Sequence, residues 1–127
     1  LVVEDLPGEW NRRYKELLGV EPTTDAEGCL QDVHWSEGLF GYFPSYLLGH
    51  LISAQLSEAM EMEIGAPEQH IASGDVTPML SWLRQNVHGV GRALNAEDLV
   101  QQVTGRPLDS TAFLRHLTTK LKALASL

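Results

Sequence analysis

The sequence predicts an all-α fold. Three observations carry this: apolar residues recur at helical spacing, no strand-like alternation persists, and the periodic segments begin and end on capping residues. The 127 residues are 43% hydrophobic and 20% charged, a globular composition that fits one helical unit over residues 1–127.

The elements follow in order. Asp5 is placed to cap a first helix, with Leu6 or Pro7 in its first turn, where the missing proline N–H costs nothing. Trp10, Tyr14, Leu17 and Leu18 continue it at helical spacing, and Gly19 stops it. Residues 20–27 are polar and read as a loop. Pro44 suits the first turn of a long helix that Gly65 ends. Its stripe is Leu47, Leu48, Leu51, Ile52, Leu56, Ala59 and Met60, with Glu58, Glu61 and Glu63 off it on a solvated face. Three shorter helices are expected beyond. Asp75 caps one through Met79, Leu80, Trp82 and Leu83. Asn95 caps a second that Gly105 closes. Ser110 caps a third carrying Phe113, Leu114, Leu117, Leu121 and Leu124. Arg115, Lys120 and Lys122 lie late in that last segment, where cations suit the helix dipole.

Composition also excludes functions. Nine basic against seventeen acidic residues give a net charge of -8, which argues against a nucleic-acid partner. The acidic excess lies in residues 1–66, with twelve acidic residues against Arg12, Arg13 and Lys15. No apolar run approaches the ~20 residues of a membrane span. A single cysteine, Cys29, leaves no internal disulfide and fits a reducing, cytoplasmic setting. His50, His70, His88 and His116 form no His-x-x-x-His pair, so no metal site is expected from this chain's own residues.

One segment departs from bundle-like sequence. Residues 31–46 gather Gln31, Asp32, His34, Trp35, Tyr42 and Tyr46, with Gly28, Gly38, Gly41 and Gly49 in and around them. His34 reads either as a histidine satisfied by a neighbour such as Asp32 or as an imidazole donating to a substrate oxygen. Tyr42 and Tyr46 pose the same choice between a core ring and a phenol directed at a carbonyl. A Cys29–His34 nucleophilic pair would need spatial support.

That segment resembles the C-terminal signature of the thermostable carboxypeptidase family, also called carboxypeptidase Taq. The family pattern Gly-x-x-Gln-Asp-x-His-Trp matches at Gly28, Gln31, Asp32, His34 and Trp35. Its continuation matches at Gly38, Gly41, Tyr42, Phe43, Pro44, Tyr46, Leu48 and Gly49. Looser likeness covers Val3 to Pro7 with Trp10 and Tyr14, and Asn86-Val87-His88 with Gly91-Arg92. The resemblance implies a helical segment of a larger, mainly helical metallopeptidase with a deep groove. It implies a divalent metal, zinc in expectation, held by His-Glu-x-x-His and a further Glu, and removal of single C-terminal residues from peptides. His-Glu-x-x-His does not occur in these residues. The expectation is therefore a C-terminal piece, opening at Leu1 without Met, that binds no metal alone and is inactive without its missing N-terminal part. On the same resemblance His34 and Tyr46, with Tyr42, line the groove opposite the metal, while Gln31 and Asp32 contact substrate or orient neighbours. A non-catalytic helical interaction module is the alternative, and a homodimer through uncovered apolar surface is expected of a truncated chain.

Overall fold

Proline and glycine set most helix boundaries in this chain. A computed structural model describes residues 2–126; Leu1, where the sequence opens, lies outside them. The described residues form six α-helices and no strand: α1 (Leu6–Leu18), α2 (Pro44–Ile64), α3 (Pro67–Ser73), α4 (Thr77–Asn86), α5 (Ala96–Thr104) and α6 (Thr111–Ala125). Short 3₁₀ turns lie at Val3–Asp5, Val33–Glu37 and His88–Val90. The all-α expectation is met. Inside the span that reads as one helical unit, the chain divides into two compact units, Leu1–Ser45 and Tyr46–Leu127. No helix among the described residues is long and apolar enough to cross a membrane.

In the first unit, α1 begins with proline in its first turn and ends at Gly19. Gly19 takes φ 70°, and its N–H reaches the Lys15 carbonyl at 2.9 Å. A left-handed C-cap of this kind is where glycine replaces any other residue most cheaply. The polar face of α1 carries Glu9 between Arg12 (2.6 Å) and Arg13 (2.9 Å), with Glu16 on Arg12 at 3.0 Å. The two guanidiniums, Arg12 first, hold the Glu9 carboxyl down at about 2, against an ordinary 4.5. A depressed folded-state pKa stabilises above the ordinary carboxylate range and stops doing so as pH falls through the folded value. Helicity of the chain in low salt should therefore fall between about pH 4.5 and pH 2. Glu9→Gln should flatten that part of the acid titration, and 1 M salt should shrink it.

The second unit is built on Ala59, Met60 and Trp82, with Leu56, Ile64, Met79, Leu83, Val87 and Val103 packed against them. One fully buried residue of α2 is polar. Gln55 donates through Nε2 to the Pro107 carbonyl (2.9 Å) and the Thr104 hydroxyl (3.3 Å), and its Oε1 accepts from the Asp109 N–H (3.2 Å). One amide thus anchors the loop between α5 and α6. Glu58, expected on a solvated face, instead accepts from Arg106 at 2.7 Å and from Arg115. Long guanidinium side chains reach back to α2, so the residue's position on the helix wheel misjudges its partners. Arg115 acts through this pair rather than through the dipole of α6.

Capping follows sequence in part. Asn95 Oδ1 accepts the Asp98 N–H at 2.9 Å, as expected. Asn95→Ala should lower thermal stability by about 1 kcal/mol, readable as a shift in the melting midpoint. Asp75 accepts the Thr77 N–H at 3.0 Å and so also supports the start of α4. Asp5 and Ser110 differ from expectation, because neither side chain bonds the helix it precedes. Asp5 Oδ2 accepts from the Val2 N–H at 3.1 Å, and Asp109 takes the capping role at α6 by accepting the Thr111 N–H at 2.7 Å. The short helix α3 is absent from the sequence reading, although Pro67 at its start and Gly74 at its end mark it. Its seven residues are too few for periodicity to register.

Candidate functional site

The signature segment folds as a turn, a 3₁₀ helix and a second turn. Gly28 opens it. An added Cβ there would meet Asn11 Oδ1 and the Thr24 carbonyl, each at 3.3 Å, so a side chain fits only if these neighbours shift by a few tenths of an ångström. Cys29 beside it is a free, buried thiol. Asp32 caps the 3₁₀ helix: its Oδ1 accepts the His34 N–H at 3.1 Å. Gly38 closes that helix at φ 72°, its N–H turned back on the carbonyls of His34 and Trp35.

The same Asp32 oxygen lies 2.6 Å from His34 Nδ1, and both side chains are mostly covered. The side-chain bond to His34, with help from the backbone bond, holds the Asp32 carboxyl below its ordinary value. An ionised carboxylate only accepts, so Nδ1 carries the proton and donates. Nε2 is the ring nitrogen that Asp32 does not engage.

Aromatic rings surround the pair. Tyr42 lies tilted against the imidazole with centroids 5.0 Å apart, and Phe43 approaches it edge-on at 6.2 Å. Trp10 meets Trp35 edge-to-face at 5.8 Å and stacks on Tyr14 at 5.8 Å. Trp10, Tyr14, Trp35 and Phe43 wall a cavity of about 630 Å³, to which Gln31, Asp32 and His34 contribute the polar side chains. Residues as far apart in sequence as Trp10 and Phe43 thus share one site. In the sequence, Trp10 and Tyr14 read only as helix periodicity and lead-in. Two aromatic rings one turn apart among the charged residues of the first helix are the signal that marks them.

Of the expected site residues, Gln31, Asp32, His34 and Tyr42 lie in the first unit. Tyr46, in the first turn of α2, opens the second unit and is 51% exposed. Among the described residues no group of three or more His, Cys, Asp or Glu converges to hold a metal ion.

Fold and site together define a helical segment carrying the signature of a metallopeptidase. The chain belongs to the carboxypeptidase Taq (M32) metallopeptidase family, whose model matches residues 1–121. It is 43% identical over 121 residues to thermostable carboxypeptidase 1 of Thermus thermophilus, a match covering 95% of this chain and 24% of that protein. It is 41% identical over 122 residues to carboxypeptidase 1 of Bacillus subtilis, covering 96% and 24%. Among solved structures, the M32 carboxypeptidase of Deinococcus radiodurans superposes with a TM-score of 0.89 at 34% identity, covering all of this chain and 26% of that one. The chain spans about a quarter of the length of the curated relatives it matches.

Proposed function

We propose that this chain is the C-terminal segment of a metal-dependent carboxypeptidase that releases single C-terminal amino acids from peptides. The observation that carries the reading is the Asp32–His34 pair, held at 2.6 Å in an aromatic-walled cavity within a family-matched chain. In this reading the chain supplies groove-lining donors. The divalent metal, with zinc as its expected identity, is held by the part of the enzyme outside these residues. His34 donates from Nε2 when protonated, and Tyr46, with Tyr42 beside His34, donates from its phenol. Such donors act on the oxyanion that forms as the peptide carbonyl is attacked, and they bind it more strongly than the ground-state carbonyl. Gln31, exposed in the same cavity, suits contact with the substrate backbone, and Asp32 orients the imidazole.

The coverage of about 24% of each relative supports a missing N-terminal partner from the same enzyme. The test is mass spectrometry of a peptide digest. The full-length enzyme should shorten the peptide one C-terminal residue at a time, and the 127-residue chain alone should leave it intact. Cleavage by the chain alone, or internal cleavage by the full-length protein, sinks the reading.

One observation favours a second reading, a non-catalytic helical interaction module. Leu47 and Leu48 of α2 are half exposed, as are Leu114, Leu121 and Leu124 of α6, although all were expected on packed stripes. Uncovered apolar faces favour association, with the rest of the enzyme or with a second copy. Light scattering of a full-length protein that forms a homodimer yet releases no amino acid would favour the module.

A further inference from the structure

We infer that the cavity of the first unit is a recognition pocket for an uncharged aromatic side chain, seated against the Trp10, Trp35 and Phe43 walls beside the Asp32–His34 pair. That the ligand is a peptide rests on the carboxypeptidase reading; the aromatic preference rests on the cavity alone. A volume of about 630 Å³ falls within the range of small-molecule sites and admits the largest side chains. Trp10 and Trp35 stand at 89° to one another. The two rings already touch edge-to-face, so an entering ring lies against an outer face of one of them, an arrangement aromatic quadrupoles favour.

Charge selects against the alternatives. No Lys or Arg is among the described residues lining the cavity, so an acidic side chain would lose its hydration without meeting a permanently charged cation. The cavity's one carboxylate, Asp32, directs Oδ1 to both the backbone and the ring N–H of His34. Recruiting it for a buried ammonium or guanidinium would compete with those bonds. Apolar contact is then the main source of affinity, and Val33, a lining residue 73% exposed, can be altered without touching the packed interior.

The experiment is a titration of the chain with N-acetylphenylalaninamide, followed by amide and indole chemical shifts. Saturable shifts are expected at Trp10, Val33, Trp35 and Gly41 and none in α5 or α6, with binding about tenfold tighter than for N-acetyllysinamide. Val33→Asp, its helicity checked by circular dichroism, should weaken binding of the phenyl probe by about tenfold. Absence of saturable shifts, shifts confined to the second unit, or equal or tighter binding of the lysine probe overturns the inference. Hydrolysis is not read in this experiment. An inactive full-length enzyme therefore leaves a positive result standing, and intact peptidase activity does not rescue a negative one.

Discussion

His34→Gln in the full-length enzyme is expected to lower kcat by about 10²- to 10³-fold, the usual cost of one oxyanion donor, with little change in KM. The expectation rests on differential binding: a donor that tightens only as charge develops on the carbonyl oxygen affects turnover and spares ground-state affinity. Asp32→Asn should give a smaller loss. The asparagine still caps the 3₁₀ helix by accepting the His34 N–H, but it removes the carboxylate that dictates which ring nitrogen carries the proton. Its signature is a displaced pH–rate profile, which a purely structural defect would not produce. Tyr46→Phe should behave like His34→Gln, falling in kcat rather than rising in KM. A loss expressed wholly in KM for both variants would recast these residues as substrate-binding.

The largest expected effect on stability is at Gln55. Gln55→Leu keeps the volume but leaves the Pro107 carbonyl and the Asp109 N–H without their buried partner. An unsatisfied group costs about 1–3 kcal/mol where water cannot reach it, and Pro107 is exposed, so the second unit should lose about 1–3 kcal/mol in a denaturant titration. Glu58→Gln, at the partly exposed ion cluster nearby, should cost about 1 kcal/mol or less. If Gln55→Leu proved neutral, the amide would not be what holds the loop between α5 and α6.

Much of this was legible in the chain itself. Pro44 and Gly65 bracket α2, and Asn95 with Gly105 bracket α5, because those signals are local backbone chemistry. The Asp32–His34 contact was also within reach, since two residues of separation across a cap leave little freedom. Gln55 was not: a single polar residue on an apolar stripe shows its role only when its distant partners 104–109 are in place. The assembly of Trp10 and Tyr14 with Trp35 and Phe43 was hidden for the same reason. Periodicity tells which face of a helix is apolar but not what that face meets. The exposed leucines of α2 and α6 show the converse limit, because a stripe marks a surface that wants covering and does not say by what.

The most direct test of the central claim is a structure of the full-length enzyme with a peptide or product bound. The account requires His34 Nε2 to lie within hydrogen-bond reach, about 2.7–3.2 Å, of an oxygen at the scissile position. A bound ligand separated from His34 by a layer of protein would contradict it.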